Sequence, residues 1–154
     1  MVFSNAVLHW IDRERQGEAL EHIASALAPE GQFVFECGGR VHAALALAFE
    51  RHGLAYKFPF YFPTIGEYAP LVEAAGMHIT DAVLFDRPTA LEGTDGMADW
   101  IRMFVKRPFE DVPAPLGDEI IAEAVEALRP DMFHGDTWYV DYVRLRIRAV
   151  KHAG

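Results

Sequence analysis

The chain has 154 residues, the size of one ordinary domain with a sizeable core, and 51% of them are hydrophobic against 24% charged, which excludes a disordered chain. A net charge of −9 disfavours an electrostatic grip on phosphate backbones or anionic lipid, so neither nucleic acid nor membrane is an expected partner. The single cysteine, Cys37, leaves no intrachain disulfide and no Cys-x-x-Cys site, which suits a reducing compartment and makes the cytoplasm the expected location.

Asn5, His9 and Trp10 near the start, with no basic leader, give no expectation of a signal peptide. The longest apolar stretches, 43–49 and 83–85, fall far short of the roughly 20 residues that a bilayer span needs. In chain order, Val2-Phe3-Ser4-Asn5 reads as a short apolar strand and 6–11 as helical in character. Ala19, Leu20, Ile23, Ala24 and Leu27 then recur at helical spacing over 16–27, until Pro29-Glu30-Gly31 stops the pattern. Phe33-Val34-Phe35 with Cys37 is a continuous apolar run, as in a strand covered on both faces, and Gly38-Gly39 ends it. Strand, helix, strand in this order implies a parallel pair with a right-handed crossover.

A second helix is predicted over 41–49, whereas the aromatic and proline-rich stretch 56–63 cannot be regular helix. Thr64 is placed to cap a helix over 65–75, with Glu67 at capping-box spacing and Gly76 closing it. A strand over 77–85 follows and is expected to stop at Arg87-Pro88-Thr89. Helices over 96–105 and 117–128, separated by Pro108, Pro113 and Pro115, read as an insertion at about 93–130 before the last strand, 137–150. In that strand Tyr139, Asp141, Val143, Leu145, Ile147 and Ala149 share one face, and Tyr142, Arg144, Arg146 and Arg148 the other. No repeat or low-complexity linker divides the chain, so one α/β domain over 1–154 is expected.

Ligands of open α/β sheets bind beyond the carboxyl ends of parallel strands, which puts Ser4, Asn5, Ala6, Gly38 and Gly39 on the ligand side. Gly38-Gly39 reads foremost as a turn into the next helix. The seven histidines show no His-x-x-x-His or His-Glu-x-x-His spacing, so no metal site is expected. No Gly-x-Ser-x-Gly elbow surrounds Ser4 or Ser25, and Cys37 sits in a strand, so a covalent hydrolase lacks support. The sequence contains neither Gly-x-Gly-x-x-Gly nor a Walker pattern, and the arginine row reads as a solvated or ion-paired strand face.

Several segments carry a resemblance: Val2-Phe3-Ser4-Asn5-Ala6-Val7-Leu8-His9-Trp10-Ile11, Leu27-Ala28-Pro29-Glu30-Gly31, Phe62-Pro63-Thr64, Glu73-Ala74-Ala75-Gly76, Phe85-Asp86-Arg87-Pro88-Thr89, Leu91-Glu92-Gly93 and Gly135-Asp136-Thr137-Trp138-Tyr139. Together they resemble the later part of class I S-adenosylmethionine-dependent methyltransferases similar to trans-aconitate methyltransferase. The family's Gly-rich first motif and its ribose-holding acidic residue have no counterpart here. The resemblance implies the carboxyl-terminal half of a Rossmann-like sheet, family strands 4-5-7-6, with the last strand inserted between the second and the third. It implies S-adenosylmethionine as cofactor, with Asn5 and Ala6 at its methionine end and His9 and Trp10 just behind. Tyr61, Trp100 and Trp138 would wall the pocket of a small-molecule acceptor, and no catalytic residue is assigned. Without the resemblance, Asn5 reads as a helix cap, and Trp10, Tyr61, Trp100 and Trp138 read as core filling.

The implied half-sheet would be inactive alone, and its bare central strand implies a homodimer or a complex with the missing amino-terminal half. The rival reading is a non-catalytic truncated protein or partner-binding fragment.

Overall fold

The computed structural model describes residues 1–37 and 41–153, so Gly38 and Gly39, read as lying on the ligand side, fall outside the described residues. The elements are β1 (Val2–Asn5), 3-10 turns at Leu8–Trp10 and Arg13–Arg15, α1 (Gln16–Ala26), β2 (Gln32–Cys37), α2 (His42–Arg51) and α3 (Ile65–Ala74). They continue with β3 (Met77–Leu91), α4 (Gly96–Phe104), a 3-10 turn at Arg107–Phe109, α5 (Ala114–Met132), β4 (Phe133–His134) and β5 (Thr137–Lys151). Hydrogen bonding orders the sheet β1-β2-β5-β3, with β4 paired to β5. β1 runs parallel to β2, and β2 antiparallel to β5, with Glu36 opposite Arg146.

Local chemistry accounts for several element ends. The Thr64 side chain accepts from the Glu67 N–H at 3.3 Å while the Glu67 carboxylate accepts from the Thr64 N–H at 2.9 Å, the full capping box of α3. After α1 the chain turns so tightly that a Cβ on Gly31 would lie 2.7 Å from the Ala28 carbonyl oxygen, which only glycine avoids.

The structure departs from the sequence reading at five places. Residues 6–11 form only one 3-10 turn, because the chain leaves β1 through a left-handed Ala6 (φ 55°) and Val7 offers no side-chain cap. β2 is covered unequally on its two faces: Phe33 and Phe35 are fully buried, whereas Val34 and Glu36 on the other face keep some exposure, 11% for the Glu36 side chain. β3 runs through Arg87-Pro88-Thr89 to Leu91, since an edge strand tolerates the missing N–H of Pro88. α5 begins at Ala114, because Pro115 sits in the first turn, where a helix has no use for its N–H. β4 and β5 form a hairpin over Gly135 (φ 54°) and Asp136 (φ 62°), two successive left-handed residues that match the twist of the paired strands.

The chain divides into two compact units, each with its own core. The first holds β1, α1, β2, α3, β3 as far as Asp86 and β5 from Val143. Its core packs Leu20, Ala24 and Leu27 of the first helical segment and Tyr68 and Val72 of α3 with Phe33, Phe35, Leu145 and Ile147. Ile23 and Leu71, at the edges of the same helical faces, are half-buried against it. The second unit holds α2, β3 from Arg87, α4, α5, β4 and β5 as far as Tyr142, and so extends beyond the helices of 93–130. Within β5 the buried positions change parity, from Trp138 and Val140 in the second core to Leu145, Ile147 and Ala149 in the first. Tyr139 and Asp141 are therefore not on the buried face. No helix among the described residues is long and apolar enough to cross a membrane.

Thr64→Ala removes the acceptor for the Glu67 N–H, and urea denaturation is expected to show a loss of about 1 kcal/mol, typical of a deleted cap.

Candidate functional site

The first unit contains the carboxyl ends of the parallel pair β1 and β2, the end of such a sheet where ligands bind. Asn5 lies opposite Glu36, and the Ala6 N–H donates to the Glu36 carbonyl at 2.9 Å, extending the ladder by one residue. Ala6 then turns the chain in the left-handed region, which costs an alanine roughly 1 kcal/mol or more. Strain of this kind persists only where the surroundings impose it.

What imposes it is a buried side-chain network. Gln16, with no exposed surface, donates from its amide to the carbonyls of Leu8 at 2.9 Å and Ile11 at 2.7 Å, and its own carbonyl accepts from the Tyr68 hydroxyl at 2.8 Å. The Leu8 carbonyl already accepts from the Ile11 N–H at 3.1 Å within the 3-10 turn, and the amide adds a donor to each of the two carbonyls. Leu8 anchors the turn in the core, and His9 follows it in at 8% exposure.

The His9 ring lies among Trp10, Phe60 and Phe62, with centroids 5.7, 5.6 and 5.5 Å away, and Trp10 meets Phe60 edge-on at 4.5 Å. The His9 carbonyl accepts from the Tyr61 N–H at 3.0 Å, which ties the aromatic stretch to the turn. The buried Nδ1 of His9 has no hydrogen-bond partner among the described residues. Burial, and then the positive charge of Arg144, push His9 down to about 4, so the imidazole is neutral near pH 7.

Charge at the end of β2 is held in a compact group. The Glu36 carboxylate accepts from Arg146 Nη2 at 2.7 Å and Nε at 3.2 Å, and Arg144 Nε lies 3.8 Å from its other oxygen. The side chains of Glu36 and Arg144 are only 11% and 10% exposed. The Arg146 guanidinium also covers the Phe85 ring at 4.9 Å. Sequence reasoning missed Glu36 and the burial of Arg144; the available signal was one carboxylate inside the apolar run 33–37, across from an arginine row.

Of the residues singled out in the sequence, Asn5, Ala6, His9, Trp10 and Tyr61 all belong to this unit, and His9 touches Trp10 directly. Asn5 is exposed and caps no helix; Trp10 is 45% exposed and so is not core filling. Tyr61 is half-buried, with Arg13 over its ring at 5.6 Å. Trp138 is a correction to the pocket-wall reading: it is fully buried, its Nε1 donates to the Thr94 carbonyl at 2.9 Å, and Phe133 and Arg129 flank it. Trp100 is nearly as buried and donates to the Tyr142 hydroxyl at 2.6 Å. Both fill the core of the second unit. Among the described residues no group of three or more His, Cys, Asp or Glu side chains is placed to hold a metal.

No protein-family model matches the chain. It is 29% identical over 165 aligned positions to the uncharacterized methyltransferase C70.08c of Schizosaccharomyces pombe, across 98% of this chain and 62% of that relative. The chain is thus homologous to a methyltransferase and spans less than two thirds of its length. Among solved structures it matches the YcgJ protein of Bacillus subtilis with a TM-score of 0.57 at 14% identity, over 99% of this chain and 63% of that one. A candidate methyltransferase of Bacillus halodurans gives 0.57 at 12% identity, over 98% of this chain and 68% of that one. The cyclase SpnF gives 0.50 at 14% identity, over 99% of this chain and 50% of that one. The α/β fold is shared with these proteins.

Two outcomes test this geometry. Gln16→Leu removes the amide donors to the Leu8 and Ile11 carbonyls and the acceptor of the Tyr68 hydroxyl, and chemical denaturation is expected to show a loss of roughly 1–3 kcal/mol. Below pH 6.5 the unfolded chain takes up a proton at His9, and at the equally depressed His42, that the folded chain refuses until about pH 4. Stability is therefore full above pH 6.5 and falls as pH drops towards 4, by on the order of 3 kcal/mol for His9. His9→Phe keeps a ring in the cluster and removes the titrating nitrogen, so urea midpoints measured from pH 7 to 4 are expected to fall less steeply than in the parent.

Proposed function

We propose that this chain is the carboxyl-terminal half of a class I S-adenosylmethionine-dependent methyltransferase that acts on a small-molecule acceptor. Homology to a methyltransferase along 98% of the chain carries the reading. The strand order β1-β2-β5-β3, with its parallel first pair and antiparallel β5, supports matching these strands to family strands 4-5-7-6.

The cofactor would supply a methyl group on a cationic sulfur, and the chain's own residues fit its methionine end. Asn5 and the strained Ala6 stand at the strand's carboxyl end, where backbone can approach a ligand, with His9 and Trp10 behind them. The buried, unpartnered Nδ1 of His9 is a polar group in need of a partner beside this end. Neutral at working pH, His9 hydrogen-bonds without adding charge, and Phe60, Phe62 and Trp10 exclude water around it. Tyr61, tied to this turn through its N–H, remains the acceptor-wall residue; the catalytic contribution is positioning, with no side chain assigned to take a proton.

The nucleotide end finds no glycine-rich turn anywhere in the sequence, so the chain by itself is inactive. Calorimetry with S-adenosylmethionine or S-adenosylhomocysteine at millimolar concentration is expected to give no heat with this chain. Fused to the portion of the S. pombe relative that lies outside the alignment, it is expected to bind S-adenosylhomocysteine with micromolar Kd. A fusion that folds and still binds nothing would overturn the methyltransferase reading, and binding by the isolated chain would overturn its inactivity.

A further inference from the structure

The histidines are scattered along the sequence, but the sheet brings two of them together. Within the first unit β3 lies beside β5. The His152 N–H donates to the Gly76 carbonyl at 3.2 Å, and the Thr80 hydroxyl donates to the Arg148 carbonyl at 3.3 Å, so the two segments are tied on either side of His78. Met77, Ile79 and Ala149 turn into the first unit's core, and strand alternation sends His78 to the opposite face. There the His78 and His152 rings lie with centroids 5.5 Å apart and planes inclined at 40°. The pair stands at the end of the sheet where Gln32 meets Val150, away from the end that holds Glu36.

We propose that His78 and His152 form a two-histidine site for a divalent cation of the zinc and copper kind, with water completing the coordination. The proposal goes beyond the methyl-transfer reading and does not rest on it, nor on what flanks β1, because β2 and β5 separate β1 from β3. Imidazole nitrogen is the ligand these cations prefer, whereas magnesium and calcium take oxygen. A cation about 2.0 Å from one nitrogen of each ring sets the centroids roughly 5 Å apart at a tetrahedral angle, so rotation about the side-chain torsions closes the gap from 5.5 Å. The basic groups nearby are engaged elsewhere: Lys151 Nζ donates to the Leu27 carbonyl at 2.8 Å, and Arg148 Nη2 to Gln32 Oε1 at 3.3 Å. The net charge of −9 adds a field that attracts cations. Among the described residues no third His, Cys, Asp or Glu joins the pair, which leaves the other positions to water. The two ligands come from strands far apart in the sequence, so no local spacing marks them. For the same reason the unfolded chain does not hold the rings together, and the cation stabilises the folded chain by clipping β3 to β5.

Calorimetry of the chain, free of any histidine tag, with zinc chloride at about pH 7.5 is expected to show a single saturable site, with copper(II) bound more tightly and magnesium not at all. Zinc is expected to raise the thermal midpoint and to shift the ring-proton resonances of His78 and His152. His78→Asn and His152→Asn, each with unchanged circular dichroism, are expected to lose both the heat and the thermal shift. His22→Asn, on the exposed side of α1, is expected to keep them. A parent chain without saturable zinc binding, or binding that survives His78→Asn or His152→Asn, overturns the proposal. Should a variant fail to fold, the parent's resonances decide: zinc shifts at other histidines and none at these two overturn it as well.

Discussion

One buried amide holds the candidate site together. Gln16 sits at the first position of α1, yet its side chain reaches back to the carbonyls of Leu8 and Ile11 and forward to the Tyr68 hydroxyl on α3. It thereby joins the turn after β1 to two helices of the same core. An amide is the fitting side chain, since it offers two donors and an acceptor without a charge to desolvate. The left-handed Ala6, the inward His9 and the aromatic cluster around it all follow from where that turn is pinned.

The second constraint is electrostatic. Glu36 and Arg144 lie where water reaches them poorly, and a buried ion pair is weak evidence for stability because desolvation offsets attraction. Arg146, half exposed, completes the charge group and gives the carboxylate its two shortest contacts. The same setting decides the state of His9, since protonating a buried ring beside Arg144 would add a second cation to a poorly hydrated place. The result is a compact charge group beside a neutral imidazole.

The fold alone does not decide the chemistry. It is shared with a candidate methyltransferase and, at a lower TM-score, with a cyclase. What favours methyl transfer is sequence similarity to a methyltransferase along 98% of the chain.

The sequence by itself determined the elements whose signals are local. The helical spacing of Leu20, Ala24 and Leu27, the capping box at Thr64 and Glu67, the apolar run of β2 and the long alternation before the carboxyl terminus each lie within one element and are legible there. Its helical reading of 6–11, by contrast, reduces to one 3-10 turn in the structure. Only the tertiary structure decided what depends on partners far along the chain. Pro88 stops a strand or passes through it according to whether that strand lies at a sheet edge, which strand order alone settles. An exposed arginine row and a buried ion pair read alike until β2 sets Glu36 against β5. Trp100 and Trp138 are equally good as pocket walls or as core, and the choice fell to the helices that close over them. Trp10, with the same side chain, stays at the surface because the Gln16 network turns Leu8 and His9 inward instead.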